Sequence, residues 1–169
     1  MEVVVSRRKL WKVLRELGVE PWWRHPFRQK QYVKVTPQKV EALVEQKVLR
    51  ERGIYQFKGY KNGFCLLGVI AIARLTGVSP SWFRAQPDFP RRSFLTLSEW
   101  LRILPPILER HKKGFNAVIE LEKLKAEVIL RANEVFKAIV NDAGDGSDIE
   151  GDAGSGEGVS DSGVDFQVW

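Results

Sequence analysis

Cysteine, methionine and histidine are scarce in this chain: one Cys, one Met and two His in 169 residues. A single thiol cannot close an intramolecular disulfide, and Cys65 with His25 and His111 falls short of the four ligands of a Cys/His zinc site. Aspartate is nearly missing from the first 141 residues, where Asp88 stands alone. Without clustered carboxylates there is no place for the magnesium ions of phosphoryl-transfer or nuclease chemistry. Long apolar runs are missing too. The longest, Phe64 to Ala73, spans ten residues, about half of what a membrane helix needs. Basic residues are missing from the last 28, which hold eight acids (Asp142, Asp145, Asp148, Glu150, Asp152, Glu157, Asp161, Asp165) and no Lys or Arg.

That last absence divides the chain. The first 141 residues carry all 27 basic residues against 13 acidic ones, a net charge of +14, and the overall +6 conceals it. A body of that charge attracts a polyanion, and an acidic segment on the same chain competes for the same surface. The composition, 44% hydrophobic and 28% charged, is that of a globular protein. The expected organisation is a basic globular domain over residues 1–141 and a disordered acidic tail over 142–169, rich in Gly, Asp and Ser and too poor in apolar surface to offset its ordering entropy. The tail ends in an apolar tip, Val164-Asp165-Phe166-Gln167-Val168-Trp169. Met1-Glu2-Val3-Val4-Val5 has an acid where a signal peptide needs bases, which points to the cytoplasm. The sparse Met and Asn and abundant Arg, Glu, Lys and Trp fit a thermophilic source.

Periodicity predicts a mostly helical α+β fold with two or three short strands. Ser6 is an N-cap for a helix to about Leu17 with Leu10, Trp11, Leu14 and Leu17 at helical spacing, and Gly18 stops it. Gln31 to Val35 alternates like a strand. Thr36 and Pro37 open a helix to about Arg52 whose inner face is Val40, Leu43, Val44, Lys47 and Val48. A hairpin is expected near 54–66, pairing Ile54–Phe57 with Phe64–Leu66 around Asn62-Gly63. Leu66 to Leu75 reads as a buried helix closed by Gly77. Ser79 caps a short helix, and Thr96 with Glu99 has capping-box spacing. Pro105-Pro106 is expected to break that helix. Asn116 to Val140 keeps one apolar face for about seven turns. Its positions 117, 121, 124, 128, 131, 135 and 138 follow a heptad, which offers a surface for a homo-oligomer. There is no five-strand pattern of an OB-fold.

Aromatic and basic residues interleave repeatedly. Trp22, Trp23, Arg24, Phe27, Arg28 and Lys30 do so in one stretch, with Lys34 just beyond. Tyr55, Phe57, Lys58, Tyr60 and Lys61 do so on the hairpin, as do Trp82-Phe83-Arg84 and Phe89-Pro90-Arg91-Arg92 further on. Flat π-faces stack bases and cations take phosphates, so this pattern is expected to bind single-stranded nucleic acid without reading its sequence. Such rings also serve as core anchors. The hairpin glycines lack the Gly-Lys-Ser/Thr ending of a phosphate loop. Cys65 and His111 lie 46 residues apart with no orienting motif, and Cys65 precedes Leu66-Leu67 in an apolar stretch, so no catalytic residue, metal or cofactor is read here.

Val40 to Leu49, Tyr55-Gln56 and Gly63-Phe64-Cys65-Leu66-Leu67-Gly68-Val69, followed by Trp100-Leu101 and Gly114-Phe115-Asn116-Ala117-Val118-Ile119, resemble small uncharacterised bacteriophage proteins with a Cys-Leu-Gly-Val module, over about residues 37–120. The resemblance implies a phage origin, with the host cytoplasm as its place, and supplies no activity. The tail resembles single-stranded DNA-binding proteins in layout. Such proteins end in an acidic Gly-rich tail whose tip docks on replication partners, which implies docking by Asp165, Phe166, Val168 and Trp169. The expectation is a phage single-stranded DNA-binding protein. The alternatives are a phage regulator that binds a host protein, such as RNA polymerase or a defence complex, and a virion assembly protein. A helix over 37–52 followed by a hairpin also suggests a winged helix that reads double-stranded DNA.

Overall fold

Local rules fix most helix ends. Ser6 closes strand β1 (Val3–Ser6) and caps helix α1 (Arg7–Glu16), its hydroxyl accepting from the Lys9 amide at 3.2 Å. Thr36 links strand β2 (Tyr32–Val35) to helix α2 (Pro37–Glu51) and accepts from the Lys39 amide at 3.2 Å. Gly77 closes helix α3 (Val69–Thr76), and Ser79 caps helix α4 (Pro80–Ala85). Thr96 and Glu99 form a reciprocal capping box at the start of helix α5 (Leu97–Leu108). Helix α6 (Gly114–Ala143) is the longest element. Strands β3 (Tyr60–Lys61) and β4 (Phe64–Cys65) complete a mostly helical α+β fold with two antiparallel strand pairs. Among the described residues no barrel closes.

This computed structural model describes residues 2–19, 32–55, 57–90 and 94–143, apart from the side chains of the last two. The chain divides into two compact units, Met1–Val44 with Ile129–Trp169, and Glu45–Val128. In the first, β1 and β2 pair antiparallel, with Val3 opposite Val35 and Ser6 opposite Tyr32. Val5, Leu10, Val13, Leu14, Val33 and Val35 are buried there. In the second, an aromatic stack anchors the core. Phe83, Phe89 and Trp100 are buried, with ring centroids 5.1 Å apart for Phe83–Phe89 and 5.4 Å for Phe89–Trp100. The Trp100 indole N–H donates to the Leu67 carbonyl at 2.9 Å.

Several expectations are corrected. The hairpin forms, but its first strand is Tyr60–Lys61 and not 54–57. Asn62 and Gly63 have φ of 55° and 87°, as a two-residue turn of the I′ kind requires, and that tight turn sets Tyr60 opposite Cys65 and Lys61 opposite Phe64. Helix α3 starts at Val69 rather than Leu66, because Leu67 stays extended and exchanges two backbone hydrogen bonds with Leu95, at 2.8 and 3.0 Å. Pro105 and Pro106 sit inside α5 and do not break it. They fall in its last turn, and burial of Leu104, Ile107 and Leu108 offsets the backbone bonds they cannot make. Helix α2 is not one-faced: Ala42, Glu45, Gln46 and Leu49 are buried along with Val40, Leu43, Val44 and Val48, whereas Lys47 is half-buried. On α6 the heptad positions Ala117, Leu121, Leu124, Val128 and Val135 are buried, whereas Arg131 and Ala138 are half-buried.

Candidate nucleic-acid interface

The hairpin and the segment that enters α5 meet on the second unit. Beyond β3 and β4 the ladder continues through the Leu66 amide donating to Gly59 O at 2.9 Å, which fixes the chain from Lys58 onward. The Leu67–Leu95 bridge holds the second segment alongside. As a result Lys58 Nζ lies 5.2 Å from the centroid of the Phe94 ring. Phe94 is 40% exposed and Tyr55 68% exposed, high values for side chains this apolar. Phe57 and Tyr60 are half-buried, their rings tilted with centroids 6.2 Å apart. Lys58 and Lys61 are exposed. A stretch of accessible rings flanked by ammonium groups suits unstacked bases and their phosphates.

On this stretch Lys61 has a partner within the fold. Lys61 Nζ donates to Glu99 Oε2 at 2.7 Å, and Glu99 Oε1 accepts from the Thr96 amide at 2.9 Å. The Lys61 hydrogen bond and then the Thr96 amide lower the Glu99 carboxyl to about 2. Below the hairpin, Lys125 Nζ donates to the fully buried Glu45 carboxylate at 2.9 Å and lies 5.3 Å from the Phe64 ring centroid. Burial, with the negative charge of Glu45 adding to it, pushes the Cys65 thiol up, and burial raises the Tyr60 hydroxyl to about 12. A buried thiol held protonated is a packing residue and not a nucleophile.

Of the residues singled out in sequence, Tyr55, Phe57, Lys58, Tyr60 and Lys61 share this region. Lys34 lies in β2 of the first unit, where its carbonyl accepts from Lys39 Nζ at 3.2 Å. Trp22, Trp23, Arg24, Phe27, Arg28, Lys30, Arg91, Arg92, Asp165, Phe166, Val168 and Trp169 lie outside the described residues. Phe83 and Phe89 belong to the aromatic core and are no stacking surface. Sequence reasoning missed Phe94. Its position directly after Arg91-Arg92-Ser93 continues the aromatic-basic pattern and is the signal that points to it.

Among the described residues no three His, Cys, Asp or Glu side chains group as metal ligands, and no helix is long and apolar enough to cross a membrane. The chain matches no protein-family model, no curated protein and no solved structure.

Proposed function

We propose that this protein binds single-stranded DNA, without strong sequence preference, through the hairpin face of the second unit. The observation that carries the reading is the meeting of Lys58 with the exposed Phe94, 36 residues apart in sequence. Two separate segments of aromatic-basic character thereby form one accessible stretch on a body of net charge +14. The rings take bases, Lys58 and Lys61 take phosphates, and the eight acids from Asp142 onward compete with the nucleic acid for the basic surface.

The test is binding of single- and double-stranded oligonucleotides by the full chain at a series of salt concentrations. The single strand should bind more tightly. With two phosphate contacts, from Lys58 and Lys61, affinity should fall roughly sevenfold between 50 and 200 mM salt. Equal or tighter binding of the duplex removes the single-strand reading. No binding of either at low salt removes nucleic acid as the ligand and leaves a host protein as the partner.

A further inference from the structure

We infer that Phe94 is the residue on which a base of the bound single strand stacks, that Gly68 sets the pose of its ring, and that Lys58 moves from the ring to the adjacent phosphate when the base arrives. The inference rests on the single-strand reading above and names the side chains that would carry it.

The ring is accessible and held in place at once. Its own segment is pinned by the paired backbone hydrogen bonds between Leu95 and Leu67, one residue along the chain from Phe94. One edge of the ring lies against Gly68, where a Cβ would stand 2.7 Å from Cε1 and 3.0 Å from Cδ1. Any residue but glycine would therefore displace the ring. The backbone at Gly68, with φ of −101° and ψ of −170°, is ordinary for any residue, so the glycine is needed for the ring and not for the chain's course. A preset ring costs a base less to bind than a freely rotating one.

Lys58 is the movable part. Its ammonium stands over the ring without being buried, an arrangement of small energy at an exposed site. A base exchanges that cation–π contact for a larger stacking area. The long side chain then keeps its charge near the nucleotide's phosphate. Stacking and phosphate contact become separable, because Phe94 sees bases and Lys58 sees charge.

The experiment compares the full-length protein on an oligothymidylate and on an abasic oligonucleotide of equal length, which has the phosphates without the bases. Wild type should bind the oligothymidylate roughly tenfold or more tightly than the abasic strand. Phe94→Leu should lower that preference roughly fivefold or more and leave abasic binding unchanged, and Phe94→Tyr should keep it. Gly68→Ala should weaken the preference with the core intact, since the group it meets is the outer end of a side chain. Lys58→Gln should lower the salt slope on both strands by a fraction of a unit to one unit. If Phe94→Leu retains the full preference, or wild type binds both strands equally, the stacking role is wrong although the phosphate-binding surface stands. If wild type binds neither strand, the nucleic-acid reading itself fails and this inference with it.

Discussion

Glu99 shows how a few atoms tie a helix end to the candidate surface. One carboxylate oxygen accepts from the Thr96 amide and the other from Lys61 of the hairpin, at 2.9 and 2.7 Å. Both bonds favour the ionised form, so the folded carboxyl titrates near 2 instead of near 4.5. A lowered folded value stabilises the fold above the unfolded value, and that contribution disappears as pH falls from about 4.5 towards 2. Glu99→Ala should cost about 1 kcal/mol at neutral pH, as the loss of a helix cap with a weak exposed ion pair implies. The gap between Glu99→Gln and wild type, measured by urea unfolding at a series of pH values, should be widest above pH 5 and shrink below pH 4. A gap that stays constant from pH 7 to pH 3 would show that the charge contributes nothing. The Thr96–Glu99 cap was legible in sequence because it is a contact between residues three apart. The Lys61 partner was not, since nothing local says that position 61 returns to position 99.

At the scale of elements, the same division separates what sequence reveals from what packing decides. Helices α1, α4 and α6 follow from caps and periodicity, and the Asn62-Gly63 turn follows from residues that tolerate positive φ. The partners of those elements do not follow. Helix α2 reads as one-faced, yet Glu45 and Gln46 are 0% and 3% exposed, because the fold surrounds that helix with neighbours its own periodicity cannot announce. Glu45 is accommodated there by Lys125, 80 positions along the chain, at 2.9 Å with side-chain exposures of 0% and 13%. Such a pair joins α2 to α6 while holding an ammonium near Phe64 of the hairpin. Removing one member leaves the other's charge buried, so Lys125→Met should destabilise the protein by roughly 3–5 kcal/mol. The double change Glu45→Met with Lys125→Met should lose clearly less than Lys125→Met alone, because the buried carboxylate leaves together with its ammonium. A double-mutant cycle in urea checks this, and strict additivity of the single changes would deny the coupling.

For the whole molecule, the governing quantity is the distribution of charge. It was fully legible in sequence, since counting needs no fold: +14 before position 142 and −8 from position 142 onward, on one covalent chain. The shape of the surface that carries the positive charge was not, and the core stack of Phe83, Phe89 and Trp100 shows why. Core rings and surface rings are spelled with the same letters, and burial alone separates Phe89 from Phe94. If the acids from Asp142 to Asp165 compete with nucleic acid, they act as tethered counterions, and their effect must share the salt dependence of the contacts they oppose. Replacing all eight by Asn and Gln, with chain length and the Phe166–Trp169 tip unchanged, should tighten oligonucleotide binding about tenfold or more at 50 mM salt. The gain should shrink as salt approaches 0.5 M, where screening weakens attraction and competition together. Phe166→Ala with Trp169→Ala should leave oligonucleotide affinity within about twofold, because the apolar tip adds no charge to the competition. Fluorescence anisotropy with a labelled oligonucleotide reads both variants. Equal affinity of the neutralised chain and wild type at 50 mM would mean that the acidic segment serves a partner and not the basic surface of its own chain.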